Sequence, residues 1–334
     1  MDNDIPHVVR DYRLATQFRK RHIIHAFDDP DAPPSSPQRK EYWKNERQQL
    51  GAGGQGRVIL QTCTSGSRSY SQRAVKMIPL QEGGARRRYL RELETIIKFS
   101  HDKYARHFVK TLGWYETEDS LCIAMEFFPA GDLQTYVAEH ALLREDDCRE
   151  ITSQILRALI VMHGEGFAHR DIKPQNVLIQ QCAPSTSTQP GSWLVKLADF
   201  GISRMFHADT HGNSTLIGTE EFMAPELWDR NGAAKTDYPA TDLWALGVMT
   251  FFILTKSRLF QNRRYSFQYE RSPDRLFPRG SLDDCQVSLD GQDFIRALLR
   301  PNPNDRLDSN AAVNHAWIIS GLQIHIEVPF SDSE

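Results

Sequence analysis

Cysteine is scarce in this chain, and its spacing excludes two classes of small stabilised protein. The 334 residues include 5 cysteines, an odd number without a C-x-x-C pair. A disulfide framework needs an even set, and a structural zinc site needs closely spaced ligands. The sequence therefore predicts free thiols and an intracellular location, cytoplasmic or nuclear. The positions are Cys63, Cys122, Cys148, Cys182 and Cys285.

Long apolar runs are also missing. The longest strongly apolar stretch, residues 245–255, has about half of the roughly 20 residues that a membrane-spanning helix requires. The first residues, from Met1 onward, lack the basic segment followed by an apolar one that is typical of a secretion signal. We therefore expect no membrane partner.

Neither sign of charge dominates. The chain has 40 Lys and Arg residues against 43 Asp and Glu, a net charge of -3, which is too balanced for a nucleic-acid binder that relies on bulk electrostatics. Two short basic runs, 19–21 and 86–88, lack interleaved aromatic side chains on which bases stack. We expect no nucleic-acid partner. The fractions of hydrophobic residues, 40%, and charged residues, 25%, are typical of a globular protein.

The length predicts about two domains or one large two-lobed unit. Residues 1–40 are interpreted as an N-terminal extension that ends in a linker rich in Asp, Pro and Ser, and residues 321–334 as a C-terminal tail. Residues 41–320 form the predicted main domain. Its first part, 41–127, favours short strands around one helix, and its second part, 128–320, is mostly helical.

The spacing of apolar residues locates individual elements within these parts. Strands are predicted at 57–62, 73–78, 121–127, 177–179 and 194–197. Helices are predicted at 85–99, 148–162, 240–255 and 291–299. Residues 183–192, rich in Ser, Thr and Pro, predict an exposed insertion that can vary in length without affecting the core.

A glycine-rich segment, GAGGQGRV at 51–58, is the first motif with chemical meaning. Glycine lets backbone N–H groups approach phosphate oxygens where a Cβ would obstruct them. Alone this signal is weak, since glycine-rich hairpins are common. A dinucleotide-binding loop is a poorer interpretation, because its third glycine must open a helix and residues 57–62 favour a strand.

A lysine in an apolar strand is the second motif. Lys76 follows Ala74 and Val75, and a lysine is expensive to bury unless it is paired. Glu92, on the next predicted helix, is a suitable partner. An isolated lysine of this kind more often lies on a solvated edge, so the pair depends on its context.

The deciding motifs are HRDIKPQN at 169–176, DFG at 199–201 and APE at 224–226. Asp171 can accept a hydroxyl proton, and Asn176 can hold a metal ion from the same loop. Asp199 can bridge that ion to phosphate. These are the parts that phosphoryl transfer requires, because its catalysis is mostly positioning and charge neutralisation.

On these motifs the sequence resembles the eukaryotic protein kinase family, Ser/Thr type, over about residues 45–320. The resemblance implies an α+β, two-lobed protein-kinase-like fold, with a small β-rich N-lobe containing one main helix and a larger, mostly helical C-lobe. It also implies transfer of the γ-phosphate of ATP, with Mg²⁺, to Ser or Thr hydroxyls of protein substrates.

The resemblance assigns roles to individual residues. Asp171 is the expected catalytic base, with Lys173 near the transferred phosphate. Lys76, paired with Glu92, binds the α and β phosphates. The implied Mg²⁺ ligands are Asn176 and Asp199. The implied ATP-binding set is Leu50, Gly51, Gly53, Gly56, Val58, Ala74, Lys76, Met125, Glu126, Phe128 and Leu178.

Regulation by phosphorylation is also implied. Thr215, four residues before Thr219, aligns best with the activating phosphosite of the family. We predict that the phosphate on Thr215, added by an upstream activating kinase, pairs with three arginines and orders the loop. These arginines are Arg88, Arg170 and Arg204.

Further positions match structural features of the family. Asp242 is expected to brace the backbone of the catalytic loop, and Arg306 to pair with Glu226. Strong selectivity for basic substrate residues is not expected, because Gln175 and Phe252 occupy two positions at which basic-selective kinases carry acids.

Two other functions fit the sequence less well than protein phosphorylation does. A catalytically inactive scaffold with the same fold would have lost Lys76, Asp171 or Asp199, and all three are present. A small-molecule kinase shares the fold, but the intact Gly218-Thr219 pair and the APE motif favour a protein substrate.

Overall fold

The computed structural model describes residues 6–28, 33, 36–53, 56–66, 70–80, 85–186, 189, 191–199, 204–205, 219–228 and 236–320. The chain forms two compact units, the first unit being Met1–Phe128 and the second unit Pro129–Glu334. The lobe boundary predicted between 127 and 128 lies one residue from this division.

In the described part of the first unit, seven antiparallel strands form one sheet. The helices are α1 (His7–Asp11) and α2 (Ala85–Phe99), followed by a 3-10 turn at Asp102–Tyr104. The strands are β1 (Ala15–Phe18), β2 (Ile23–Phe27), β3 (Arg39–Gly53), β4 (Gly56–Ser65), β5 (Gln72–Pro79), β6 (Thr111–Glu116) and β7 (Ser120–Met125). Their order across the sheet is β1-β2-β3-β4-β5-β7-β6. The helix predicted at 85–99 is confirmed as α2.

Strand register places several predicted ATP-binding residues on one face of this sheet. Val58 pairs with Lys76, and Ala74 pairs with Met125. Directly paired residues point to the same side of a sheet, as do residues two apart along a strand. Val58, Ala74, Lys76 and Met125 therefore share a face, which we call the inner face.

Helix α2 packs on the inner face through residues at helical spacing. Leu93 and Ile97 are buried in a cluster with Ile78 and Ile123 of the sheet. Ile78 lies two residues after Lys76 on β5, and Ile123 on β7 is the cross-strand partner of Lys76. The apolar stripe of α2 therefore fixes this helix beside the strand that carries Lys76.

The N-terminal segment, predicted as an extension at 1–40, takes part in this sheet. Strands β1 and β2 join the sheet beside β3, and β3 itself begins at Arg39. The backbone N–H of Leu14 donates to the carbonyl of Trp114 on β6 at 2.8 Å. Because β1 and β6 are at opposite ends of the strand order, this bond shows that the sheet curls back on itself. Described residues on both sides of the predicted boundary at residue 40 therefore belong to one sheet.

A buried polar cluster holds the β1–β2 hairpin to the opposite, outer face of the sheet. His25 is fully buried, and its Nε2 accepts a hydrogen bond from Arg73 at 2.7 Å. The Thr16 hydroxyl donates to the Leu14 carbonyl, so the Nδ1 of His25 donates to Thr16 at 3.0 Å. Arg73 also donates to Gln61 and stacks on the ring of Trp43.

Burial, reinforced by the charge of Arg73, lowers the pKa of His25 to about 3. Burial also lowers the pKa of Arg73, to about 10. His25 is 0% exposed and Arg73 is 2% exposed, so the cluster is screened from water. Neutral His25 is the form that can accept the hydrogen bond from Arg73, so the hairpin depends on that protonation state.

The second unit is mostly helical. Its helices are α3 (Leu133–Glu139), α4 (Glu145–Gly164), α5 (Tyr238–Thr255), α6 (Arg263–Arg271), α7 (Pro273–Leu276), α8 (Arg279–Asp284), α9 (Leu289–Leu298), α10 (Ser309–Val313) and α11 (Ala316–Ser320). Its strands are β8 (Phe167–Ala168), β9 (Val177–Ala183), β10 (Ser192–Leu197) and β11 (Arg204–Met205). Strand β9 pairs with β10, and β8 pairs with β11. Short 3-10 turns lie at Pro174–Asn176, Glu220–Phe222, Pro225–Trp228 and Pro303–Asp305.

Helix α5 is the centre of the second unit and is apolar nearly all round, as expected of a buried helix. A Cβ on Gly247 would lie 2.9 Å from Leu298 Cβ, so the close approach of α5 to α9 requires glycine there. None of the described helices combines the length and the apolar character that crossing a membrane requires.

The insertion predicted at 183–192 is attached to the core more firmly than expected. The buried carboxylate of Asp147, on α4, accepts hydrogen bonds from the backbone N–H of Ser185 at 2.9 Å and from Trp193 Nε1 at 2.9 Å. The base of the β9–β10 hairpin is therefore held by a buried charge, and length variation can be tolerated only beyond it.

We predict that His25 makes the folded chain less stable in mild acid. Its folded-state pKa lies below the ordinary value of 6.5, so below about pH 6.5 the unfolded chain binds a proton that the folded chain excludes. This contribution is complete above about pH 6.5 and is lost as the pH falls towards 3. The loss between pH 7 and pH 5 is on the order of 2 kcal/mol.

Thermal unfolding of wild type and His25→Gln at pH 7, 6 and 5 measures this contribution as the difference between the two profiles. His7→Gln, at an exposed position, should follow wild type. Equal pH slopes for wild type and His25→Gln would contradict the prediction.

Candidate active site

The backbone of the loop at 169–176 is fixed by one buried carboxylate. Asp242 of α5 is 1% exposed. It accepts hydrogen bonds from the backbone N–H groups of His169 at 2.8 Å and Arg170 at 2.7 Å, and from His163 Nε2 at 2.9 Å. The predicted bracing role of Asp242 is confirmed.

This brace acts where the backbone is strained. Arg170 has φ of 69°, in the left-handed region that side chains other than glycine adopt at a cost. Its guanidinium lies 3.4 Å from the centroid of the Tyr238 ring, at the start of α5. The carboxylate of Asp242 and the ring of Tyr238 thus hold a conformation that the local sequence does not favour.

Asp171 is the centre of a compact polar cluster. It is 7% exposed, and its Oδ2 accepts hydrogen bonds from Lys173 Nζ at 2.7 Å and Asn176 Nδ2 at 3.1 Å. Its Oδ1 accepts from the backbone N–H of Thr219 at 3.2 Å and from the Thr219 hydroxyl at 3.1 Å. Lys173 Nζ also donates to the Thr219 hydroxyl at 2.8 Å. Both carboxylate oxygens are therefore oriented by several donors.

A second set of bonds connects this cluster to the segment that carries Asp199. His169 Nε2 donates to the carbonyl of Ala198 at 3.0 Å, and the N–H of Ala198 donates to the carbonyl of Asn176 at 2.8 Å. Asp199 follows with φ of 62°, again in the left-handed region. These bonds therefore hold the backbone next to Asp199 beside the loop that carries Asp171 and Asn176.

A buried ion pair in the second unit joins the APE motif to the segment before α10. The Arg306 guanidinium donates to both carboxylate oxygens of Glu226, at 2.8 and 3.1 Å. It also donates to the carbonyls of Ala240, Pro301 and Arg300, so all five N–H donors of the arginine are used. The predicted Glu226–Arg306 pair is confirmed.

The three glycines predicted to lie near the phosphates belong to the paired strands β3 and β4 of the first unit. Gly51 and Gly53 lie on β3, and Gly56 begins β4 with φ of 128°. A Cβ on Gly56 would lie 2.1 Å from the Met77 carbonyl oxygen. Glycine is thus required at Gly56 for packing and conformation, independently of any ligand.

The remaining predicted ATP-binding residues lie on or beside these strands, with one in the second unit. Leu50 lies on β3, Met125 ends β7, and Glu126 and Phe128 follow it. Glu126 bonds with Lys110 through its backbone N–H and its carboxylate. Leu178 lies on β9 and pairs with Asp132 in an isolated bridge.

Part of the predicted site lies outside the described residues. This holds for Thr215 and for the side chains of Glu92, Arg88 and Arg204. The Lys76–Glu92 pair and the arginine set for Thr215 therefore stay predictions.

Sequence reasoning missed the contact of Thr219 with Asp171. Thr219 was recognised only as part of a Gly-Thr pair, although its hydroxyl touches both Asp171 and Lys173. Thr219 lies 48 positions after Asp171, and no local sequence pattern predicts a contact over that separation. His163 was missed for the same reason, since its bond to Asp242 joins residues 79 apart.

Comparison with known proteins agrees with this geometry. A family model described as the protein kinase domain matches residues 44–318. The chain belongs to the protein kinase family. The two-lobed kinase fold and the resemblance predicted from the motifs are thereby confirmed.

Two curated relatives are serine/threonine-protein kinases. RAD53 of Saccharomyces cerevisiae is 34% identical over 241 residues, which cover 68% of this chain and 27% of RAD53. The kinase cds1 of Schizosaccharomyces pombe is 30% identical over 222 residues, which cover 66% of this chain and 46% of cds1. The matched part thus spans less than half the length of either relative.

A crystal structure of Rad53 in complex with AMP-PNP has the same fold. The TM-score is 0.65 at 31% identity, and the match covers 83% of this chain and 65% of that chain. Fold and sequence thus agree on the protein kinase family.

We predict that Asp242→Asn destabilises this kinase domain by about 1–3 kcal/mol, because the amide replaces one carboxylate oxygen by an NH2 donor and leaves the backbone N–H that faced this oxygen without an acceptor. Urea denaturation measures the change. Asp237→Asn is the matched control on the same helix: Asp237 caps α5 through its side chain, and asparagine caps equally well. Equal midpoints for wild type and Asp242→Asn would contradict the prediction.

Proposed function

We propose that this chain is a Mg²⁺-dependent kinase that transfers the γ-phosphate of ATP to Ser or Thr hydroxyls of protein substrates. The observation that supports this most directly is the Asp171 cluster. Its carboxylate is buried, is flanked by Lys173, and already accepts a hydrogen bond from the side-chain hydroxyl of Thr219. A substrate hydroxyl is chemically the same kind of partner.

In the proposed reaction Asp171 orients the substrate hydroxyl and accepts its proton. The hydroxyl oxygen forms a bond to the γ-phosphorus of ATP while the bond from that phosphorus to the β–γ bridging oxygen breaks. ADP leaves with the bridging oxygen. Lys173 places a positive charge beside the carboxylate, where negative charge on the transferred group is stabilised.

The side chains of Asn176 and Asp199 suit Mg²⁺. Asn176 directs its Nδ2 to the backbone carbonyl of Asp171 at 2.7 Å, which turns the amide oxygen to the other side as an acceptor for a hard cation. Asp199 would contribute a carboxylate from the segment that is hydrogen-bonded to the same loop. When bound, Mg²⁺ would neutralise charge on the phosphates of ATP.

In the first unit, we propose that Lys76, paired with Glu92, binds the α and β phosphates. Gly51, Gly53 and Gly56 would supply backbone N–H groups near the phosphates. Two facts support this assignment: the shared inner face of Val58, Ala74, Lys76 and Met125, and the AMP-PNP complex of Rad53. The adenine ring would lie against the apolar members of the set.

The proposed substrates carry apolar rather than strongly basic residues near the acceptor. A pocket of about 190 Å³ beside the catalytic loop of the second unit is lined by Gln175, Phe222, Phe252 and Phe260, among others. Its lining also includes Glu221, whose carboxylate is paired with Arg258 at 2.7 Å. The carboxylate of Asp132 is engaged in capping α3, through bonds with the N–H and hydroxyl of Thr135. Neither feature recruits a basic side chain.

Asp171→Asn should lower kcat by about 10²–10⁴-fold, because asparagine cannot accept the proton. We would measure peptide phosphorylation with Mg-ATP on an array of Ser- and Thr-containing sequences. Asp146→Asn, at a half-exposed position on α4, is the matched control and should behave as wild type. Equal signal from wild type and Asp171→Asn would assign the activity to a contaminant.

We further propose that phosphorylation of Thr215 by an upstream kinase activates the enzyme. Arg170 directly precedes Asp171, and its backbone is fixed by Asp242. A phosphate paired with Arg170, Arg88 and Arg204 would order the loop through charge-assisted bonds.

Thr215→Ala should lower kcat by about tenfold or more in protein isolated in its active form, because the ordering bonds are lost. Mass spectrometry should find phosphate on Thr215 in wild type. Ser214→Ala is the control and should retain activity. A fully active Thr215→Ala protein, with wild type unmodified over 210–219, would overturn the assignment.

A further inference from the structure

We infer that the segment before the family match, residues 6–27, holds helix α2 in place. The positioning residues are Val9, within this segment, and Trp114, to which the segment binds on β6. The family model begins at residue 44, so this segment lies outside the matched domain. The consequence for catalysis rests on the proposed function, because α2 carries Glu92.

Val9 is the apolar contact. It lies on α1 with no exposed surface and belongs to the same buried cluster as Leu90, Leu93 and Ile97 of α2. Its neighbour Val8, on the same helix, is 45% exposed. The contact is thus confined to one side of α1, which packs directly on α2.

Trp114 links this contact to the sheet. It is fully buried, and its Nε1 donates to the carbonyl of Val9 at 2.7 Å. Its backbone N–H donates to the carbonyl of Tyr12 at 3.0 Å, and its carbonyl accepts from the N–H of Leu14 at 2.8 Å. These three bonds fix the position of α1 against β6, so that α1 cannot shift along α2 without breaking them.

The rest of the segment fixes α1 from its other end. Arg13 forms an ion pair with Glu116 at 3.3 Å. Beyond it, the β1–β2 hairpin is tied to the outer face by the bond between His25 and Arg73. The segment therefore contacts both faces of the sheet and is anchored at several points that follow Val9 in the chain.

The position of α2 matters because Glu92 directly precedes Leu93, which is fully buried in the Val9 cluster. A helix that loses part of its packing face samples open states more often. Loosening α2 would weaken the pairing of Glu92 with Lys76 and hence the binding of ATP phosphates.

The test compares Val9→Asp with the matched control Val8→Asp in the full chain. Hydrogen exchange of the backbone amides in 85–99 should become about tenfold faster or more in Val9→Asp, because a buried charge opposes the contact. It should be unchanged in Val8→Asp, and exchange in α5 should be unchanged in both. Val9→Asp should also raise KM for ATP about tenfold.

The KM change distinguishes positioning from loss of folded protein, since a smaller folded fraction lowers apparent kcat and leaves KM unchanged. If Val9→Asp does not fold, Val9→Ala and Trp114→Phe decide the question with smaller changes in the same direction. Unchanged exchange over 85–99 in these variants would overturn the inference. Faster exchange over 85–99, together with no kinase activity in wild type, would support the positioning role and reject the proposed function instead.

Discussion

The bonds from Asp242 to the backbone N–H groups of His169 and Arg170 are the constraint on which the second unit's polar site depends. A carboxylate that is 1% exposed needs donors, and a left-handed Arg170 needs compensation for its backbone conformation. The backbone N–H groups supply the donors that the carboxylate needs, and their bonds to it stabilise the left-handed conformation of Arg170. The apolar surroundings of α5 keep water away, which strengthens these bonds and makes the loop conformation specific.

From that point the polar contacts extend in order to the reacting group. The fixed loop presents Asp171, whose oxygens are then oriented by Lys173, Asn176 and Thr219. His169 adds the connection to Ala198 and so to Asp199. Residues from four stretches of sequence thereby share one small network, and a displacement in any of them changes the environment of Asp171.

The parts of this arrangement that sequence could predict are those with local patterns. Fixed spacing within 169–176 identified Asp171, Lys173 and Asn176, and apolar periodicity gave the bounds of α2. Contacts between distant residues have no such pattern, which is why the bond of Thr219 to Asp171 emerged only from the structure.

The place of the N-terminal segment in the sheet has no local pattern either. Strands β1 and β2 are four and five residues long, and a charged turn at 19–21 interrupts them, so their sequence does not show the alternation of a longer strand. Its place in the sheet depends on two distant partners: Trp114 is 100 residues after Leu14, and Arg73 is 48 residues after His25. Short strands of this kind are defined by what they pair with more than by their own composition.

The curled sheet has a practical consequence for anyone trimming this protein to its family boundaries. A fragment starting at residue 44 would begin inside β3 and lack β1 and β2. Backbone donors and acceptors along β3 would be left open as a template for other chains. The apolar patch around Val75, Tyr115 and Cys122 would lose Leu14 and Ile23 from its cover. Such a fragment would tend to aggregate, and its insolubility would say nothing about the intact enzyme.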